Sequence, residues 1–210
     1  ASRVKDAKVT LADLSQEALA VAKQNIVLHH LTSRVSCVKA NALEAPPAFM
    51  GKFDLIVSNP PFSVPWEGDK NPLLINDPRF SPAGVLAPAS KGDMAFIMHS
   101  LSWLANNGAA AIVCFPGIMY RGGAEQKIRK YLVDNNYVDA IIQLPSNLFL
   151  NVTISVDIMV LRKNKTDNGI MFVDASGECV KVTKNNRLAP ENITNIVSAV
   201  AERKDIPHFC

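Results

Sequence analysis

The sequence predicts an α/β chain built on a mostly parallel sheet, and three observations carry that expectation. Short apolar runs alternate with longer amphipathic ones, the pattern of strands and helices wound in succession. The runs at 155–161 and 170–173 follow one another with no long helical segment between them, which predicts antiparallel pairing near the carboxyl-terminal end. Finally, 210 residues with 48% apolar content suffice for one substantial core, so a single domain over 1–210 is expected.

Val9 to Ala12 reads as the first strand. Ser15 then offers a hydroxyl to cap a helix whose buried stripe is Leu19, Ala22 and Ile26. Arg34 to Lys39 is the second strand. Pro46-Pro47 breaks the chain before an apolar strand over 53–58, and nine of the thirteen prolines lie between Pro46 and Pro88, so that stretch is expected to be mostly loop. Asp93 is placed to cap a helix through Phe96, Ile97, Leu101 and Leu104 that Gly108 would end, leaving 109–115 as a buried strand. Gly122-Gly123 opens a helix through Ile128 and Leu132 to Asn135-Asn136, and 138–144 is the strand after it. A helix from Glu191 to about Arg203 closes the chain.

Composition narrows the function classes. The 22 basic and 19 acidic residues give a net charge of +3 without a basic block, which neither demands nor excludes nucleic acid. Cys37, Cys114, Cys179 and Cys210 are widely spaced, with no CxxC pair and no zinc-like Cys/His spacing, and are expected to be reduced, mostly buried thiols. The four histidines form no nucleophilic or metal constellation; His29 and His99 read as helix packing residues. With no membrane-length apolar run and no secretory leader, the expected location is cytoplasmic.

In open α/β sheets ligands bind beyond the carboxyl ends of the strands, so the residues after each strand are the candidates. Asp13 follows the first: a carboxylate there accepts hydrogen bonds from ribose hydroxyls, or simply favours the amino-terminal end of the next helix. Asn41 follows the second, suited to pair with an adenine amine or to form an ordinary turn. The third strand, Phe-Asp-Leu-Ile-Val-Ser, empties into Asn59-Pro60-Pro61-Phe62. Here each residue type answers a chemical need. An aromatic amine is a poor nucleophile because its lone pair is delocalised. Hydrogen bonds from that amine to the Asn59 side-chain oxygen and the Pro60 carbonyl would stabilise the positive charge that develops as nitrogen attacks a sulfonium methyl. Two prolines fix the acceptors beforehand, and Phe62 offers a face on which an extruded base can stack. The turn therefore predicts S-adenosylmethionine-dependent methylation of an amino nitrogen.

This turn resembles the fourth motif of amino-methyltransferases, and the chain as a whole resembles the methylation (modification) subunit of type I restriction-modification systems. The likeness runs through Asn25 with Leu28-His29, Phe53 to Phe62, Leu74 to Phe80, Pro82-Ala83-Gly84, Leu86-Ala87-Pro88 and Asp93 to Leu101. It continues through Ala110 to Gly123, Ala124 to Arg129 and Tyr131 to Asn136. The resemblance implies a Rossmann-like class I methyltransferase sheet that methylates adenine N6 in duplex DNA after flipping the base. It also implies separate specificity and restriction subunits as partners and S-adenosylmethionine as cofactor, while the Cys/His spacing and the short apolar runs predict neither metal nor membrane. By the same resemblance, Asn59, Pro60, Pro61 and Phe62 are catalytic, and Asp13, Asn41, Asn59, Asp93 and Phe96 face the cofactor. For Asp93 and Phe96 a helix cap and a core aromatic serve equally well. Arg121 stands in the loop near the target base, suited to a phosphate or to plain solvation, and Trp66 to DNA or to local packing.

One departure stands out. The family's glycine-rich first motif and the helical region before it have no counterpart among the ten glycines, and the family's carboxyl-terminal segment stops short at His208-Phe209-Cys210. The missing strand would lie between Val9–Ala12 and Phe53–Ser58, so the sheet is expected to be incomplete at the amino terminus, the chain a fragment, and its own cofactor binding weak. Two other functions fit the same residues: a non-catalytic assembly module, and a methyltransferase of protein glutamine or RNA adenine.

Overall fold

The computed structural model describes residues 6–44, 49–150, 152–207 and 209. They cluster into two compact units, residues 1–48 and 49–210.

The first unit is a β-α-β hairpin of elements. Strand β1 (Val9–Asp13) lies parallel to β2 (Val35–Lys39), in register from Val9↔Val35 to Asp13↔Lys39. Between them runs helix α1 (Gln16–Leu28), started as the sequence predicts: Ser15 Oγ accepts the Ala18 N–H at 3.1 Å. Only Leu19 and Ile26 of this helix are fully buried. His29 is its exposed carboxyl cap, not the packing residue expected.

The second unit holds a five-stranded sheet of order β3-β4-β6-β5-β7, made of β3 (Phe53–Ser58), β4 (Leu104–Cys114), β5 (Val138–Gln143), β6 (Asp157–Arg162) and β7 (Met171–Asp174). The pairs β3/β4 and β5/β7 are parallel, whereas β6 is antiparallel to both its neighbours, β4 and β5. Four strands therefore share one direction and β6 alone opposes them, giving the mostly parallel α/β sheet the sequence predicts. The antiparallel pairing does not join β6 to β7, however; β6 inserts between β4 and β5, and β7 extends the far edge. A small antiparallel hairpin, β8 (Val180–Val182) with β9 (Asn185–Arg187), was not anticipated.

Helix α2 (Asp93–Trp103) passes directly into β4, five residues before Gly108. Gly108 is thus not a helix stop. A Cβ on it would stand 2.8 Å from the Phe53 carbonyl, so glycine permits a close approach of β4 to β3 where their register shifts. Helix α3 (Gly123–Asp134) buries Ile128 and Leu132, and α4 (Pro190–Glu202) packs Ile196 and Ala199 on Ile142, Leu144, Val156 and Val173. The core sits in this unit: Met94, Leu104, Ile112, Ile118, Leu132 and Leu161 are essentially inaccessible. Cys114 is buried, but Cys37 and Cys179 are half-exposed free thiols, and Cys210 lies outside the described residues. No helix among the described residues is long and apolar enough to cross a membrane.

Candidate active site

Strand β3 delivers Asn59 directly after its carboxyl end. Asn59 is exposed, and among the described residues its side chain makes no hydrogen bond, so both amide functions stand ready for a ligand. Pro60 and Phe62 are half-buried and Pro61 exposed. Phe62 packs at the margin of the core cluster that includes Ile142, Leu144, Val156 and Val173.

Behind Phe62 stands a stack the sequence did not reveal. The Phe115 ring lies 6.3 Å from that of Phe62, within the range of favourable aromatic pairs, and the Arg121 guanidinium sits 4.7 Å over the Phe115 ring. Glu125, one turn along α3, holds Arg121 at 3.5 Å. Gly117 makes room, since a Cβ there would come within 2.4 Å of Phe115 and 2.7 Å of Arg121. Arg121 is therefore largely occupied in supporting the site, rather than a solvated surface arginine. Glycine two residues beyond an aromatic at a strand end was the only available signal.

The loop from Ser63 to Gly92 is held by a buried polar cluster. Arg79 forms a forked ion pair with Asp77, Nη2 to Oδ2 at 2.7 Å and Nε to Oδ1 at 3.0 Å, which holds the Asp77 carboxyl below the usual carboxylate range. Its Nη1 lies 3.5 Å from Nδ1 of His99, and its guanidinium covers the Phe80 ring at 4.7 Å. Burial, with the Arg79 charge, pushes His99 down to about 3, so the ring is neutral and packs on Trp103 at 4.2 Å. Trp66 is likewise structural: its Nε1–H donates to the Pro88 carbonyl at 3.1 Å and its ring meets Phe80 edge-on.

Asp93 does not cap α2. Gly92 is the cap residue, and Asp93 Oδ1 instead accepts the Ser63 N–H at 3.0 Å. Phe96 is the one residue from Asp93 to Leu101 that is not fully buried, which leaves part of its ring available to a ligand. In the first unit, Asp13 ends β1 with one oxygen accepting the Ser15 N–H at 2.7 Å, and Asn41 follows β2 with its oxygen accepting the Leu43 N–H at 3.0 Å. These local bonds leave the second Asp13 oxygen to accept and the Asn41 amide nitrogen to donate, at the ends of adjacent parallel strands. That donor and acceptor set fits the ribose hydroxyls and adenine edge of S-adenosylmethionine.

Asp157, at the start of β6 opposite Cys114 and Gln143, is buried, and desolvation raises its carboxyl to about 6. It lines a groove of about 1090 Å³ walled by α3, β5 and β7; none of Asn59 to Phe62, nor Asp93, borders that groove. No cluster of metal-ligating side chains occurs among the described residues.

Comparison with known proteins places the chain. A family model described as N-6 DNA methylase matches residues 4–210. The type I restriction enzyme MpnII methylase subunit of Mycoplasma pneumoniae is 54% identical over 158 residues, 75% of this chain and 29% of the relative. The MjaVII methylase subunit of Methanocaldococcus jannaschii is 33% identical over 90% of this chain and 34% of its own length. Among solved structures, a type I restriction-modification methyltransferase subunit from Streptococcus thermophilus superposes with a TM-score of 0.89 at 36% identity, covering 94% of this chain and 43% of that one. This chain thus spans about a third of the curated relatives' length. With the strand-end Asn-Pro-Pro-Phe turn and a matching family model over nearly every residue, the chain belongs to the N-6 DNA methylase family.

Proposed function

We propose that this chain carries the catalytic turn of a DNA adenine-N6 methyltransferase that uses S-adenosylmethionine and works as the modification subunit of a type I restriction-modification assembly. The observation that carries the reading is Asn59, exposed and unengaged at the end of β3, followed by two prolines and an aromatic, in a chain of this family.

When bound, the cofactor supplies the electrophilic sulfonium methyl. Asp13 would accept from its ribose and Asn41 would meet its adenine, with Phe96 offering an apolar face. Asn59 Oδ1 and the Pro60 carbonyl accept hydrogen bonds from the target amine and stabilise the charge that forms on nitrogen. Phe62, backed by Phe115 and Arg121, presents a ring to the flipped base. Pro60 and Pro61 hold these groups before the base arrives, so little reorganisation is needed at the moment of transfer. Duplex DNA, a specificity subunit and a restriction subunit are the partners this reading requires.

The test follows transfer of a labelled methyl group to unmethylated duplex DNA, by the chain alone and with a specificity subunit, in the presence of RNA and protein acceptors. Label should appear on adenine N6 of DNA, and Asn59→Ala should reduce transfer about a hundred- to a thousandfold, the typical cost of one transition-state hydrogen-bonding group. Label on protein glutamine or on RNA would overturn the proposal.

A further inference from the structure

The exit of the Asn59–Phe62 turn adopts a conformation that its own sequence does not favour. Ser63 has φ 52°, the left-handed region, which is strained for a residue bearing a Cβ. What holds it is visible. The Ser63 N–H donates to Asp93 Oδ1 at 3.0 Å, the Gly92 N–H to the Val64 carbonyl at 2.8 Å, and the Trp66 N–H to the Ala89 carbonyl at 3.0 Å. Residues 63–66 are thereby zipped to 89–93, and the rung nearest the turn is made by a side chain, that of Asp93.

That side chain is costly where it stands. Asp93 is only 6% exposed, and its second oxygen is fully buried with no hydrogen-bond partner, at a cavity of about 10 Å³ that Pro60, Phe62 and Cys114 also line. What compensates it is the hydrogen bond from the Ser63 N–H together with its place in the first turn of α2. Asp93 thus shares this cavity with Pro60 and Phe62 of the turn itself.

We propose that Asp93 is a positioning residue. It holds Ser63 left-handed and so sets the direction of the Phe62 ring and the Pro60 carbonyl, acting on catalysis through the turn instead of through the cofactor. The catalytic part of this statement rests on the proposed role of the turn; the clamp does not.

Four variants decide it: Asp93→Ala, Asp93→Asn, Ser63→Gly and the Asp93→Ala/Ser63→Gly pair, each measured for amide exchange at residue 63, cofactor affinity and single-turnover methyl transfer. Asp93→Ala should speed exchange at least about tenfold and slow transfer about ten- to a hundredfold with cofactor affinity unchanged, since one charge-assisted bond is lost. Asp93→Asn retains an acceptor oxygen and should stay within roughly threefold of the parent in exchange. Glycine adopts positive φ without strain, so Ser63→Gly should restore most of the transfer rate lost in Asp93→Ala. A loss of cofactor affinity in place of rate, or no rescue by glycine, would overturn the inference. Should the parent protein transfer no methyl group, the proposed activity fails by itself, and the exchange measurement still decides: unchanged exchange at Ser63 in Asp93→Ala removes the clamp.

Discussion

The unit that carries Asp13 and Asn41 and the unit that carries Asn59 are built by different means. In the first, one helix and two paired strands bury only Leu19 and Ile26, while Leu14, Val21, Val27 and Leu28 remain exposed. Its candidate residues are fixed by bonds to near neighbours, Asp13 to Ser15 and Asn41 to Leu43, each two residues on. In the second, Phe62 depends on Phe115, Arg121 and Glu125, and Ser63 on Asp93, thirty residues away. Asp13 and Asn41 are thus set by local chemistry, and Phe62 and Ser63 by long-range packing. Substitutions should therefore do very different damage in the two units.

The largest expected effect tests the core. Leu161 is inaccessible in the inserted strand β6, so Leu161→Ala should cost about 2–5 kcal/mol in urea denaturation, whereas Val27→Ala, at a side chain 62% exposed, should change stability by less than about 0.5 kcal/mol. Equal costs would break the contrast between the units.

A smaller effect lies in the pH dependence of the second unit. Because burial raises Asp157 to about 6, the folded protein keeps a proton that the unfolded chain has already released above the ordinary carboxyl value of 3.8. Stability from this group is complete below that value and is lost as pH rises through about 6. Asp157→Asn should remove that loss and stabilise the protein at pH 7 by about 1–3 kcal/mol. His99 acts in the opposite sense: held down at about 3, it contributes stability above 6.5 that is lost as pH falls. The two slopes oppose one another between about pH 4 and 6, so thermal melts of Asp157→Asn should fall more steeply with acid than those of the parent. Parallel melting curves would refute the assignment.

The smallest effect probes the first unit. Ser15→Ala removes one helix cap, about 1 kcal/mol, and should loosen α1 in circular dichroism without altering the exchange of the Ser63 amide. A helix signal equal to the parent's would remove the Ser15 cap.

Alternation of apolar runs, the Ser15 cap and the position of Asn59-Pro60-Pro61-Phe62 at a strand end were legible in the sequence. Each depends on residues close together in the chain: a hydroxyl three residues from its amide, a strand period, two fixed φ angles. Other features of the site were not legible, for one reason. Asp93 looked like a cap, Gly108 like a helix stop and Arg121 like a surface cation, because their actual partners, Ser63, the Phe53 carbonyl and Phe115, are chosen by which segments meet in space. The insertion of β6 between β4 and β5 is of the same kind. An apolar run announces a strand, but its neighbours are decided by hydrogen-bond pairing and burial across the whole sheet. Sequence alone determined that an Asn-Pro-Pro-Phe turn closes a strand; tertiary structure decided what holds that turn still, because the restraints on Phe62 and Ser63 come from segments distant in the chain.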